Sequence, residues 1–529
     1  VHARLEQIKD WAGQAATKSR AVYRKSAPVI LHAISPLAEG ADRIFAQAAL
    51  DLGYNLECPL PFHRQEYRND FRAEVSKRQF DELLAKAVAV FELDGSRDDA
   101  PAAYALVGEL VLDQCDMLFA IWDGKGAKGA GGTADVVADA RSRRIPVVWL
   151  HTDAREPDAI FAPDESENGD SGQGIDERIK EAVWRLLLPP RSLDSARPLD
   201  TVERLLAPVL DRGWRVFERT LSPGVRRSRK PVDAPPESPF RRQFVVCDGR
   251  ASQLAGLYRG AFLSNYVLGV FAVFLAIVGN AAEGRRLWPP VCEAVLIAII
   301  IILILFLRLR QWHLRMVDCR CLAEQFRILC YSYPLGLFPQ RQRLPASDLH
   351  AELPGSWVEW HSRAEARQTP MWTATLTADY LEEHSKAIRK WVQGQIGYHD
   401  RNAFKIERID AKIHRLSWVS IGLALAAALV ACVFHSKSGM ERWLLFFTAG
   451  LPAASAAAHA ISTQGEFPKL VDRSKLMARL LRSYLKDIHR EGESSAANLR
   501  RQTENLAQVL LEEVADWQIL YRKPPPPPG

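Results

Sequence analysis

Three short stretches hold the residues that could do chemistry. The first is the turn Ser35-Pro36-Leu37-Ala38-Glu39-Gly40-Ala41-Asp42, which follows an apolar run at 29–34 and opens a helix-like stretch. A helix N-terminus presents unpaired N–H groups and a partial positive charge, so this turn can hold an anion; the alternative is a plain capping turn. Glu39 and Asp42 are acceptors for ribose or base groups. The second is the block from Pro61 to Phe71, in which Arg64 can pair with a phosphate and Tyr67 can stack on a base. His63 reads as a surface hydrogen-bonding residue rather than a catalytic base. The third is the glycine-rich run at 123–133, DGKGAKGAGGT. Asp123 and Gly124 open it, Lys125 and Lys128 add positive charge, and Gly131 and Gly132 remove side chains where backbone must approach a ligand. Thr133 can cap the following helix and donate to a phosphate. No Gly-Lys-Ser/Thr closes the run, so it is not a Walker A loop.

The elements that must position these turns are legible upstream of about residue 220. Short apolar runs at 29–34, 55–60, 88–93, 117–122 and 146–151 alternate with helix-like stretches at 41–52, 80–87, 102–113 and 133–144. Runs apolar on both faces fit a buried parallel sheet covered by helices, the doubly wound α/β pattern. In such a sheet the loops after the strands converge on one edge, which would gather all three stretches. Helices at 176–188 and 199–219 close the layer, and the polar stretch at 164–174 reads as a mobile loop.

Further along, four apolar segments approach the roughly 20 residues needed to span a bilayer. They lie at 260–280, 291–307, 416–434 and 443–461; the last is the weakest, with Pro452 and many small residues. Small residues suit a span that packs closely on a partner helix. Basic residues flank their inner ends: Arg308, Arg310, Arg315 and Arg320; Arg401, Lys405, Arg408, Lys412 and Arg415; Lys469, Arg473, Lys475, Arg479 and Arg482. The connecting loops at 281–287 and 435–442 carry two basic residues each. The positive-inside rule therefore predicts a multi-pass protein with both termini in the cytoplasm. The first apolar segment lies far from Val1, so no signal peptide is expected. Within the spans, Asn265 and Glu293 are the candidate pore residues, because polar groups there are functional by default; Glu293 lies near the outer end and can also reach interfacial water.

The predicted organisation is an α/β sensing domain at 1–220, a linker at 221–240, a first membrane hairpin with its cytoplasmic helix at 241–335, a connecting segment at 336–370, a second hairpin with long helices at 371–523, and a Pro-rich tail at 524–529. The two hairpins, each followed by a basic helix, suggest a duplication. A formal charge of +6 over 529 residues, mixed with acidic residues, argues against a nucleic-acid partner. The eight cysteines lack metal-ligand spacing and read as reduced thiols, with no metal and no resident cofactor expected. Long cytoplasmic helices point to a homo-oligomer.

The blocks SPLAEGAD (35–42), LPFHRQEY with its following Asp70-Phe71, and CDMLFAIWDGKGAKGAGGT (115–133), then Ile145-Pro146-Val147-Val148, resemble the SLOG superfamily. This Rossmann-like group includes the cytokinin-activating nucleotide phosphoribohydrolases and the DNA-processing DprA proteins. The membrane half is similar to the SLATT-type effector modules that accompany SLOG domains in bacterial conflict systems, on Arg320-Cys321-Leu322-Ala323-Glu324-Gln325-Phe326-Arg327 and Gln395-Ile396-Gly397-Tyr398-His399. The resemblance implies a nucleotide-derived ligand and a place in the bacterial inner membrane. Two departures matter. Similar domains start with a strand ending in a Gly-His-Arg turn, and none precedes Val29 in this sequence; any such part of the pocket would lie upstream of Val1. The hydrolase members also carry Pro-Gly-Gly-x-Gly-Thr-x-x-Glu; with Gly132-Thr133 on its Gly-Thr, Val136 stands where the catalytic Glu belongs, and Asp135 is one position off. The expectation is therefore a non-enzymatic effector of antiphage defence, in which a nucleotide second messenger bound by the α/β domain makes the spans form a pore or disrupt the membrane. The alternative is a membrane-anchored hydrolase cleaving a nucleotide or NAD, with Glu39, Asp42 and Asp123 the only nearby acids. A transporter fits less well, because the spans hold little charge for substrate coupling.

Overall fold

The apolar runs fold as strands because each is flanked by a helix that covers one face of the sheet. In a computed structural model of the chain, the described residues are 1–19, 29–126, 131–153, 155–161, 174–189, 197–223, 234–281, 287–338, 357–433, 440–490 and 495–522. Strands β1 (His32–Ile34), β2 (Asn55–Leu60), β3 (Ala89–Glu92), β4 (Leu118–Trp122), β5 (Val147–His151) and β6 (Ala159–Phe161) alternate with helices α1 (His2–Lys18), α2 (Ala41–Asp51), α3 (Arg64–Tyr67), α4 (Glu74–Ala85), α5 (Ala100–Gln114), α6 (Thr133–Ser142) and α7 (Ile175–Leu187).

β2 pairs in parallel with β1, placing Ala33 opposite Leu56, and with β3, placing Cys58 opposite Val90. β4 and β5 pair in parallel with Phe119 opposite Val148. The described strands form two sheets, not one, and the break falls between β1 and β4. Across it Phe119 packs with Leu31 and meets the ring of Phe45 at 5.7 Å. One strand departs from the parallel pattern: β6 runs antiparallel to β5. The short connection from His151 to Ala159 has no room for the dozen or so residues of a parallel crossover.

The helical part comprises α8 (Thr201–Leu221), α9 (Arg241–Ala281), α10 (Trp288–Arg310), α11 (Trp312–Ser332), α12 (Trp357–Ala366), α13 (Ala378–Val433), α14 (Met440–Gln464), α15 (Phe467–Arg490) and α16 (Ala496–Arg522). Among the described residues, three helices are long and apolar enough to cross a membrane: Arg241–Gly279, Trp288–Arg310 and Ala378–Cys432. These contain the first three expected spans. The fourth falls in α14, a helix that carries Pro452 and an Ala/Ser-rich sequence. It still packs tightly. Ser417 and Ser455 hydrogen-bond to each other's carbonyls between α13 and α14. A Cβ at Gly450 would lie 2.3 Å from the ring of Phe274 on α9. Asn265 sits in α9 with a buried side-chain oxygen, and Glu293 lies in the first turns of α10. The loops at 282–286 and 434–439, the stretch at 162–173 and the tail at 523–529 lie outside the described residues.

The α/β part and the helical part share a sheet and a core. A seventh strand, β7 (Ala374–Thr375), joins the first sheet beside β3, with Phe91 opposite Ala374. One hydrophobic core runs from Phe91 and Leu110 through Phe326 and Trp391 to Leu499. Six of the eight cysteines, all free thiols, are buried.

Candidate functional site

A cavity of about 1520 Å³ occupies the break between β1 and β4. Ligands of doubly wound sheets bind at this kind of switch point, beyond the strand C-termini. The volume exceeds the roughly 300–1,000 Å³ of ordinary small-molecule pockets.

The turn after β1 supplies one wall. Ser35, Pro36, Glu39 and Asp42 line the cavity. Ser35 is buried; its hydroxyl donates to Asp42 O at 3.1 Å and accepts from Leu37 N at 3.3 Å, so it braces the turn. Asp42 accepts from Ala38 N at 3.2 Å. Burial raises its carboxyl to about 6, against the opposing pull of that hydrogen bond and of Arg43. Glu39 contacts the Ser76 hydroxyl. Leu37 and Gly40 lie outside the lining. Leu37 adopts a left-handed φ of 60° and is fully buried in the core beside Phe62 and Phe71. Gly40 begins α2 with a φ of 93°, a conformation open to glycine.

The opposite wall is the glycine run. Gly131, Gly132, Thr133 and Val136 line the cavity. Gly131 has a φ of 80°, and a Cβ there would lie 2.8 Å from Ala105 N. That glycine is required for packing on α5. Thr133 does not cap α6 as expected: the helix starts at Thr133, Gly132 is its N-cap, and no side chain caps it. The uncapped positive end of α6 therefore borders the cavity. Val136 contacts the position of Gly108, where a Cβ would sit 3.0 Å from Val136 Cγ2. Asp123 and Gly124 lie outside the lining. Asp123 is held below the usual carboxylate range, chiefly by the hydrogen bond from Lys125 N, and Gly124 turns with a φ of 76° beside Trp149. Lys128 and Gly129 lie outside the described residues.

The third stretch contributes less than expected. Tyr67 borders the cavity but is a core residue, with its ring 5.2 Å from Phe71 and 5.7 Å from Phe80. Arg64 lies outside the lining. Its guanidinium donates to Glu92 Oε1 at 2.7 and 2.6 Å, and its backbone N to Glu92 Oε2 at 2.8 Å. Glu92 is buried, and the half-exposed Arg64 supplies its counter-charge.

Sequence reasoning missed the remaining wall. His32 and Glu57 both line the cavity and meet at 2.6 Å. Glu57 also accepts from Met371 N at 3.2 Å. From the helical part come Gln243 of α9, Arg363 and Glu365 of α12, and Arg367 in the turn just after it. Gln243 donates to Glu365 at 3.3 Å. Arg367 grips Asp116, at the head of β4, with bonds of 2.7 and 3.1 Å. No local motif announces these residues, since only folding brings them to the cleft. Chemically, the cleft offers an uncapped helix end and a guanidinium at Arg363 for anionic groups. It offers Glu39, Asp42 and Glu57 as acceptors and Phe45 and Tyr104 as aromatic surface. Among the described residues, no group of His, Cys, Asp and Glu is arranged to hold a metal. Comparison with protein-family models, with curated proteins and with solved structures finds no match for this chain.

Proposed function

We propose that the chain is a membrane effector of bacterial antiphage defence that senses a nucleotide-derived second messenger. The observation that carries this reading is the shared wall of the cleft. The turns of the α/β layer form one side, and Gln243 stands on the other, on the helix that continues unbroken through the first apolar segment to Ala281. A ligand filling the cleft touches both. It shifts the spans only insofar as it binds two arrangements with different affinity. In this reading the four apolar segments all span the inner membrane, the termini are cytoplasmic, and a homo-oligomer forms a pore or disrupts the bilayer. The test is dye release from liposomes carrying the full chain, under a panel of cyclic and linear nucleotides. Release triggered by a nucleotide that binds the cleft supports the reading; a nucleotide that binds and releases nothing sinks it.

A second reading, a membrane-anchored hydrolase of nucleotides or NAD, is favoured by one observation. Asp42 faces the cleft with a carboxyl near 6, suited to acid–base work at neutral pH. Against it stands Val136, an apolar residue on the wall where the resembling hydrolases carry Glu. Incubation with nucleoside monophosphates and with NAD, followed by assay for released base, separates the two.

A further inference from the structure

α8 does not run alongside the spans; it lies across their inner ends. Near its start, Leu206 and Leu210 share a core with Leu257 and Ala261 of α9 and with Leu303, Phe306 and Leu307 of α10. Near its end, Trp214, Phe217 and Leu221 share a core with Phe262 and Leu263 of α9, Ile409 and Ile413 of α13, and Ala458 and Ile461 of α14. The crossing with α9 is close. A Cβ at Gly260 would lie 2.3 Å from Leu210 O, and one at Gly256 would lie 2.9 Å from Asp211 Cβ. Two buried acids pin the helix. Glu203 meets Arg315 of α11 at 2.5 Å and Trp312 Nε1 at 2.9 Å. Glu218 meets Lys405 of α13 at 2.6 Å and Trp214 Nε1 at 2.9 Å.

The bundle-facing side accounts for only part of the helix. Val202, Leu205, Val209 and Val216 are 42%, 69%, 66% and 57% exposed. At about 100° per residue they fall within about 60° of arc. Arg204, Arg212, Arg215 and Arg219 occupy the adjacent sector and are also exposed. α8 therefore has three faces: one packed on the bundle, one apolar and bare, one basic. The inner end of α10, on which Leu206 and Leu210 of α8 pack, also leaves Leu305 and Leu309 uncovered. An apolar stripe bordered by arginines, at the depth where spans leave the bilayer, is the pattern of a helix lying in the interface.

We propose that α8 is an interfacial helix whose Val202, Leu205, Val209 and Val216 stripe inserts into the inner leaflet, while its arginines engage anionic lipid headgroups. This rests on the reading of α9, α10 and α13 as spans. It makes α8 the lever between the cleft and the bilayer, because α7 lines the cleft with Val183 and Leu187 and the chain reaches α8 next.

The test uses the full chain in phosphatidylethanolamine–phosphatidylglycerol liposomes, with the two exposed thiols removed (Cys292→Ser, Cys432→Ser). Spin labels are placed singly by Val209→Cys, Val216→Cys, Arg212→Cys and Arg215→Cys, and by Ile301→Cys on exposed α10 as a reporter of insertion. The expected result is that labels at 209, 216 and 301 collide with oxygen and are shielded from a water-soluble nickel chelate, with the reverse at 212 and 215. Nickel access at 209 and 216 with 301 in lipid overturns this inference alone. Shielding from both probes with dipolar broadening between copies assigns the stripe to a second copy and also overturns it. Nickel access at 301 overturns the membrane reading and this inference together.

Discussion

Asp113 and Arg500 form a buried ion pair at 2.7 Å across 387 positions of sequence, each side chain only 4% exposed. Arg143, at the C-terminal end of α6, places a second guanidinium on the same carboxylate at 2.7 Å. Arg500 also donates to Leu335 O. One carboxylate thus ties the helix that starts at the cleft to the C-terminal helix of the chain.

Asp113→Asn should be among the more damaging single changes outside the apolar core. Breaking a buried pair by removing one partner costs about 3–5 kcal/mol, because the remaining charge loses its compensation. Arg500→Met should cost less, since Asp113 keeps Arg143. Denaturant unfolding of the two single variants and the double variant measures the coupling; strict additivity would mean the pair contributes nothing.

The two glycines Gly13 and Gly131 should respond to alanine in opposite directions. Gly131 has a φ of 80° and no room for a Cβ, so Gly131→Ala should lower stability by more than about 1 kcal/mol. Gly13 lies inside α1 with open space around it, so Gly13→Ala should raise stability by about 0.5–1 kcal/mol. Thermal melting in detergent reads both.

Arg64 and Arg363 should separate stability from ligand binding. Arg64→Ala removes both guanidinium bonds to Oε1 of the buried Glu92, leaving only the backbone N–H on Oε2, and should lower the melting temperature, with cleft affinity unchanged. Arg363→Ala should weaken binding of phosphate-bearing ligands with a smaller effect on melting. Titration calorimetry with nucleoside mono- and diphosphates, beside melting curves, checks the pair; the opposite assignment would restore Arg64 as the phosphate partner.

Asp42 should make the cleft sensitive to pH. Burial raises its folded carboxyl from 3.8 to about 6, so the folded state holds this proton more tightly than the unfolded one. The resulting stability is fully present below about pH 4 and is lost as pH rises through 6. In the same window Asp42 gains a negative charge in the cleft, so affinity for phosphate-bearing ligands should fall as pH rises from 5 to 7. Asp42→Asn should flatten both dependences, measured by melting and by binding titration across that range.

How much of this was legible follows from the range of the interactions involved. The runs at 55–60 and 117–122 are strands because a local apolar pattern, bounded by turns, demands burial on both faces, and the structure has strands there at Asn55–Leu60 and Leu118–Trp122. The turns at Ser35–Asp42 and Gly131–Thr133 were legible as partners for the same local reason: each follows a strand and opens a helix. Arg64 is ambiguous in the sequence because a guanidinium after a strand looks alike whether it awaits a phosphate or pairs with an acid; the structure sets it against Glu92.

Local residue pattern by itself determined the strand-and-helix alternation, the glycine positions that permit tight turns, and the apolar segments, three of which lie in described helices long and apolar enough to cross a bilayer. These depend on neighbours in the chain. Tertiary structure decided the rest. It placed β7 beside β3, joined Asp113 to Arg500, brought Gln243 and Arg363 to the cleft, and laid α8 across the ends of the apolar helices. Each of these depends on contacts between residues distant in sequence, which form only when the chain buries a common core, and no local pattern encodes which distant partner that burial selects.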